Sequence, residues 1–250
     1  MIDTHTHISK DYYNDIDGVI NRAVQAGVSP IIVSGCDKKS IYEVISLISM
    51  YDNIYATIGY HPDEINTATG NDLDELKDLV LSNKKIIGIG EIGLDYYYDK
   101  EGKDRQIVLF EKQLKIAEEL NVPVVIHSRD AVKDTIDILK KYKVRGIMHC
   151  FSGSLEVAKE YISMGYLLGI GGVLTFKNSK LKDIIKKIPL ECLVLETDAP
   201  YLSPEPYRGK KNESAYIVET AKFLANLKNV DVEEVNKVTT NNVFKLFDLE

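Results

Sequence analysis

The chemistry of this chain is concentrated in few residues. Of its five histidines, two stand as His5-Thr6-His7. Side chains at i and i+2 of a β-strand point to the same side, so two imidazoles converge on one point. On a helix the same spacing would splay them apart. Neutral imidazole is a common ligand for zinc and other divalent transition metals. The other three, His61, His127 and His149, each follow a short apolar run. Acidic groups repeat the pattern. Glu91 lies in Gly88-Ile89-Gly90-Glu91-Ile92-Gly93-Leu94-Asp95, and Glu196 and Asp198 follow Leu193-Val194-Leu195. A carboxylate at the end of a buried apolar strand is costly unless it is paired or faces a cation. His5, His7, Glu91, His127, His149 and Asp198 are enough to ligate two divalent ions, with Glu91 placed to bridge them. Nitrogen and oxygen ligands without sulfur suit Zn, Mn, Co or Fe rather than Ca, and Mg is compatible though it prefers oxygen. Such ions lower the pKa of a bound water and steady attacking and leaving oxygens.

The elements that must carry these residues alternate along the whole chain. Apolar runs at Met1–Thr4, Pro30–Ser34, Ile54–Ile58, Ile86–Ile89, Val122–Ile126, Gly146–Met148, Leu167–Ile170 and Cys192–Leu195 read as buried parallel strands. Between them, Asp15–Gln25, Lys39–Met50, Asp72–Ser82, Lys103–Leu120, Ala131–Tyr142, Leu155–Met164 and Lys180–Lys187 read as helices, with Ser214–Asn226 and Val232–Leu246 after the last strand. Eight strand–helix units in 250 residues, with no linker, indicate one α/β domain over 1–250, a (β/α)8 TIM barrel. A doubly wound open sheet is the alternative, but its glycine-rich first turn is missing. Every histidine then falls at or just past a strand's C-terminal end, which in a barrel is the catalytic face.

Composition narrows the classes further. Hydrophobic residues at 44% and charged residues at 28% exclude disorder and low complexity. A net charge of −7 argues against a broad DNA-coating surface, though not against a local basic patch. Cys36, Cys150 and Cys192 lack CxxC spacing and read as small buried hydrophobes in a reducing cytoplasm. No secretory leader or spanning segment is expected, so no membrane partner is either, and a monomer is the default.

The segments Ile2-Asp3-Thr4-His5-Thr6-His7, Gly90-Glu91-Ile92-Gly93-Leu94-Asp95, Ile126-His127-Ser128-Arg129, His149-Cys150-Phe151-Ser152-Gly153 and Glu196-Thr197-Asp198-Ala199-Pro200-Tyr201-Leu202 resemble the TatD family of metal-dependent deoxyribonucleases, within the amidohydrolase-like TIM barrels. The resemblance runs through the chain in order. It implies a metal-dependent phosphodiesterase acting on DNA, commonly a 3′→5′ exonuclease, with the six ligands above. On that reading the substrate is a single-stranded or frayed DNA end, with RNA a further candidate. A small amide, lactone or phosphoester is the alternative substrate class, and a non-catalytic metal-dependent binder the remote one.

Roles for the remaining residues follow. Asp198 is the candidate proton acceptor, with Glu91 as the bridging carboxylate and Glu196 orienting the ligands behind them. His61, in Gly59-Tyr60-His61-Pro62, would donate to the scissile phosphate or leaving group. Arg129 and Arg208 offer guanidinium forks to phosphate, the latter in the basic run Arg208–Lys211 after the eighth strand. Asp95 would orient a ligand or a substrate group. Tyr201 and Phe151 are candidates to stack on a base, core packing being an equal reading for Phe151. Tyr96-Tyr97-Tyr98 reads as groove or packing. Lys177, Lys180, Lys182, Lys186 and Lys187 read as a solvated helix face.

Overall fold

A computed structural model describes residues 1–249. The strands are β1 (Asp3–Thr6), β2 (Ile31–Gly35), β3 (Ile54–Ile58), β4 (Ile86–Asp95), β5 (Val124–Arg129), β6 (Gly146–Met148), β7 (Tyr166–Ile170) and β8 (Leu193–Leu195). The helices are α1 (Ile16–Gln25), α2 (Lys38–Met50), α3 (Gly70–Ser82), α4 (Lys103–Leu120), α5 (Val132–Leu139), α6 (Leu155–Ser163), α7 (Leu181–Ile185), α8 (Ile217–Lys228) and α9 (Val232–Phe247). Every strand pairs in parallel with the next, in sequence order. The ring closes between β8 and β1. There the Thr4 hydroxyl donates to Leu195 O at 3.0 Å, Asp198 N–H to His5 O at 3.0 Å and His7 N–H to Ala199 O at 2.7 Å. The expected TIM barrel is the observed fold.

Local sequence explains the elements. Asp37 accepts from the amides of Lys39 and Ser40 in a capping box that starts α2, and Thr69 with Asp72 does the same for α3. On α4, Leu109, Phe110, Leu114 and Ala117 are buried, a face with three- and four-residue steps. The core has two parts. The larger lies between the strands and the surrounding helices. The smaller takes one residue from each strand region (Ile2, Ile32, Tyr55, Ile87, Val125, Ile147, Leu167 and Val194) and is capped by Val243, Leu246 and Phe247 of α9. It plugs the barrel at the end away from the histidines. Among the described residues no helix is long and apolar enough to cross a membrane.

Several boundaries differ from expectation. β4 was expected to stop at Ile89 but continues to Asp95, so Glu91 sits inside the strand. Gly93, at φ +149°, makes that possible, because a Cβ there would lie 1.9 Å from His127 O of the neighbouring strand. The glycines around Glu91 therefore admit backbone. β1 and β5 also extend further, placing His5 and His127 within strands. α7 is only five residues long, although Lys177, Lys180, Lys186 and Lys187 are exposed as expected. The 214–226 segment starts with a 3-10 turn at Ser214–Tyr216 before α8.

Phe247 is 6% exposed and sits in the plug, remote from the histidine end. Phe247→Ala should cost about 3–5 kcal/mol in denaturant unfolding. Turnover per folded molecule should stay at the wild-type level, because this end of a barrel serves stability. A variant of wild-type stability, or one that is stable but inactive, would contradict this division of the barrel.

Candidate metal centre

The six expected ligands come from β1, β4, β5 and the turns just after β1, β6 and β8, and they meet at the barrel mouth. His5 Nε2 and His7 Nε2 are 3.2 Å apart. Two nitrogens held about 2.0–2.1 Å from one tetrahedral ion lie about 3.4 Å apart, so this convergence matches a shared cation. Glu91 Oε2 is 3.3 Å from His5 Nε2 and 3.9 Å from His7 Nε2. Its other oxygen, Oε1, is 2.7 Å from His127 Nδ1 and 3.8 Å from His149 Nε2. Asp198 Oδ1 is 3.6 Å from His7 Nε2, 3.9 Å from His5 Nε2 and 3.8 Å from His149 Nε2. One carboxylate thus faces two groups of imidazoles with its two oxygens. His5–His7–Glu91 and His5–His149–Asp198 each bring ligand atoms within 4.8 Å of one another, as does His61–Glu91–His127. This donor set fits one or two divalent cations.

Each imidazole turns one nitrogen inward and holds the other outward. His5 Nδ1 meets the Ser34 hydroxyl at 3.1 Å, which in turn meets Thr57 at 2.7 Å. His127 Nε2 is 3.0 Å from Asp95 Oδ2. His149 Nδ1 is 3.1 Å from Glu196 Oε1. His7 Nδ1 lies 3.9 Å from Cys36 Sγ. Outer partners of this kind fix ring orientation and raise ligand basicity at metal sites.

The electrostatics show how charged the mouth is without a cation. Burial pulls His127 down, but Asp95 and Glu91 on its two nitrogens outweigh burial and hold it up at about 9. His149 is likewise opposed by burial and held up at about 10 by Glu196 and Glu91. Burial raises Glu91, yet the surrounding histidines take it well below the usual carboxylate range. His5 is pulled down, first by burial and then by His149. Protons on His127 and His149 therefore supply positive charge that ligated cations would replace.

The secondary residues separate clearly. His61 lines the cavity, accepts from Asp63 N–H at 3.3 Å and lies 3.9 Å from Glu91 Oε1 through Nε2. Asp95 lines the cavity too, but its carboxylate is committed to His127 and to the amides of Tyr97 and Tyr98, each at 3.0 Å. Glu196 sits behind His149, out of the cavity, and accepts from Cys150 N–H at 2.6 Å. Arg129 is at the rim, its guanidinium 3.9 Å from the Tyr97 ring and 4.8 Å from that of Tyr98. Tyr201 lines the rim and donates to Tyr12 Oη at 3.0 Å. Tyr96 instead packs inward and donates to Asp134 at 2.9 Å. Phe151 is buried edge-on to Tyr161, as core packing requires.

Arg208 is the residue the structure sets apart. It is exposed, stacks 3.8 Å from the Phe176 ring and donates to Ser203 O at 3.3 Å, and it is not among the residues lining the cavity. Lys211 bonds to Tyr12 O, so this basic run fastens loops to each other. Cys36 differs in the opposite sense. It lines the cavity, 3.8 Å from Glu91 Oε2, and burial pushes its thiol up.

Two positioning residues escaped the sequence reading. Gln113 of α4 accepts from Tyr60 N–H at 2.7 Å and donates to Tyr60 O at 2.9 Å. Gln106, two turns earlier on the same buried face, does the same for Asp95 at 2.8 and 3.0 Å. They pin the backbone beside His61 and the backbone of Asp95, whose carboxylate stands behind His127. The available signal was two glutamines seven residues apart on an otherwise apolar helix face.

The cavity holding this constellation is about 540 Å³. Comparison with known proteins agrees with its donor set. Residues 2–248 match the family model described as TatD related DNase. The uncharacterized metal-dependent hydrolase YabD of Bacillus subtilis is 44% identical, over 99% of this chain and 98% of its own. The uncharacterized metal-dependent hydrolase YcfH of Escherichia coli is 36% identical, over 100% and 96%. The crystal structure of the TatD homolog YjjV of Escherichia coli superposes with a TM-score of 0.94 at 32% identity, covering 100% of this chain and 98% of that one. The chain therefore belongs to the TatD-related DNase family and is a metal-dependent hydrolase.

Proposed function

We propose that the chain, acting as one domain and as a monomer, hydrolyses phosphodiester bonds at single-stranded or frayed DNA ends, in the 3′→5′ direction. The observation that carries this reading is the single carboxylate, Glu91, facing two groups of imidazoles with its two oxygens, beside an unpaired guanidinium. His5, His7, Glu91, His127, His149 and Asp198 would hold the ions. When bound, divalent ions supply Lewis acidity that acidifies water and offsets phosphate charge.

The chain's own residues supply the rest. Asp198 lies at the cavity wall; burial raises its carboxyl, but His7 and its other imidazole neighbours bring it below the ordinary value. It is thus ionised near neutrality and can accept a proton from water. His61 is held through Nδ1 by Asp63, whose amide lies at 3.3 Å and whose carboxylate lies at 3.1 Å, so Nε2 faces the Glu91 side of the cavity as the nitrogen that meets a phosphate or leaving oxygen. Arg129 has no carboxylate partner among the described residues, and its guanidinium, propped on Tyr97 and Tyr98, is free to take phosphate oxygens. Tyr201 offers a ring at the cavity, its centroid 6.5 Å from that of His7. Glu196 and Asp95 keep His149 and His127 oriented. Cys36, Cys150 and Cys192 are free thiols, in keeping with a reducing cytoplasm.

Chelation followed by dialysis should abolish cleavage of end-labelled single-stranded DNA, and added Mn, Zn, Co, Fe or Mg should restore it. RNA and a small ester assayed alongside separate the substrate classes; a fast small-ester reaction without DNA cleavage would overturn the nuclease reading. His127→Ala should lose bound metal and turnover together, while Asp95→Asn should weaken metal binding about 10- to 100-fold by freeing the imidazole. Wild-type metal content in both would remove His127 from the ligand set. Arg129→Ala should raise KM for DNA about tenfold or more with a smaller change in kcat. Arg208→Ala should leave both near wild type, and a loss there equal to that of Arg129→Ala would reverse this assignment.

A further inference from the structure

Behind His149, a second set of metal-ligating groups meets. His149 and Cys150 follow β6, Glu196 follows β8, and each brings one ligand atom within 4.8 Å of the other two. Glu196 is the least satisfied of the three. It is fully buried, and its Oε1 accepts Cys150 N–H at 2.6 Å and lies 3.1 Å from His149 Nδ1. Yet neither Glu196 Oε2 nor His149 Nδ1 has an aligned hydrogen-bond partner among the described residues. A buried carboxylate with a single amide donor is short of compensation. Cys150 is half-buried and lines a cavity of about 360 Å³, distinct from the one that holds the six ligands. Asp130 lines the same cavity with an exposed carboxylate that has no ion-pair partner among the described residues, so the approach to the thiol favours a cation.

We propose that Cys150, Glu196 and the outer nitrogen of His149 form a separate site for a thiophilic divalent cation such as zinc or cobalt. Sulfur, nitrogen and carboxylate oxygen together suit such an ion and not calcium or magnesium. Around a tetrahedral zinc with bonds of about 2.0–2.3 Å, neighbouring donors stand about 3.4–3.6 Å apart. The nitrogen–oxygen pair is close to that spacing, and the sulfur lies within 4.8 Å of a donor on each partner. On binding, the thiol proton and the Nδ1 proton leave to water and the cation replaces both. Two positive charges go out and two come in, so the buried pocket's charge does not change. The cation also gives Glu196 the compensation it lacks. His149 then holds this ion on Nδ1 and faces the metal centre with Nε2, so one ring joins the two sites. The site is independent of which substrate the mouth cleaves.

Titration of the metal-free full-length protein with cobalt(II), followed by absorbance, reads this site. A cobalt–thiolate bond gives a near-ultraviolet charge-transfer band that nitrogen and oxygen ligands do not. The wild type should show the band and should bind about one ion more than Cys150→Ser. Cys150→Ser should lose the band and keep cobalt at the mouth, which also reports an intact fold. Glu196→Gln keeps the thiol and should lose the band or move it to higher cobalt. Cys36→Ser removes the thiol nearest the metal centre and should keep the band. A wild type without the band overturns the proposal. So does a band that survives in Cys150→Ser, disappears in Cys36→Ser or is unmoved in Glu196→Gln. His127→Ala separates the two sites: it should keep the band while losing cobalt at the mouth, and loss of the band with the mouth ions would place the thiolate there and overturn the separate site.

Discussion

The structure turns on one repulsion and its remedy. Glu91 and Asp198 face each other across imidazole nitrogens at the barrel mouth, and Asp95 and Glu196 stand directly behind two of those rings. Carboxylates packed this closely and largely withdrawn from water need positive charge among them. Without a cation, His127 and His149 supply that charge by holding protons well above the usual imidazole range. Divalent ions supply it more effectively, because they carry twice the charge and bind several ligands at once. The mouth is thus built in a costly state that metal relieves.

The rest of the barrel keeps these groups from relaxing apart. Asp3, fully buried and pushed up to about 7 by burial, accepts from Thr197 N–H at 2.9 Å and from its hydroxyl at 2.6 Å. That bond fixes the turn between Glu196 and Asp198 to the strand that carries His5. Asn212 donates to Thr197 O at 2.9 Å from the other side. On β7 the contribution is an absence. A Cβ at Gly169 would lie 2.2 Å from Glu196 Oε2, so glycine gives that carboxylate its room behind His149. β2 and β3 add Ser34 and Thr57, which hold the ring of His5.

Much of this was legible because chemistry and periodicity coincide. His5-Thr6-His7 reads as a converging pair on a strand, and its nitrogens do converge. Apolar runs alternating with helical patterns give eight strands, and topology then gathers residues from positions 5 to 198 at one end. The length of β4 was not legible, since the glycines around Glu91 look like a strand end and act as the means of packing β4 against β5. Arg208 was legible as a charge but not as a position. A basic run says that charge is present but not where it points, and a nearby Phe176 ring with a free carbonyl claimed the guanidinium. Gln106 and Gln113 were invisible because a buried amide takes its meaning from a backbone partner distant in sequence. The left-handed conformations of Asp130, Cys150 and Asp198, each just past a site strand, are likewise tertiary in origin.

Net charge looks different once the site is known. A formal −7 seems hostile to a polyanion. Yet two divalent ions would bring it to about −3, and all of that change falls at the mouth, where a phosphate must sit. Surface lysines contribute little there, because at physiological salt the screening length is about 8 Å. The pattern suits a protein that admits one phosphate at a time instead of coating a duplex. Arg129 fits that economy: its guanidinium is propped by tyrosine rings and has no acid partner among the described residues, so substrate does not have to displace one.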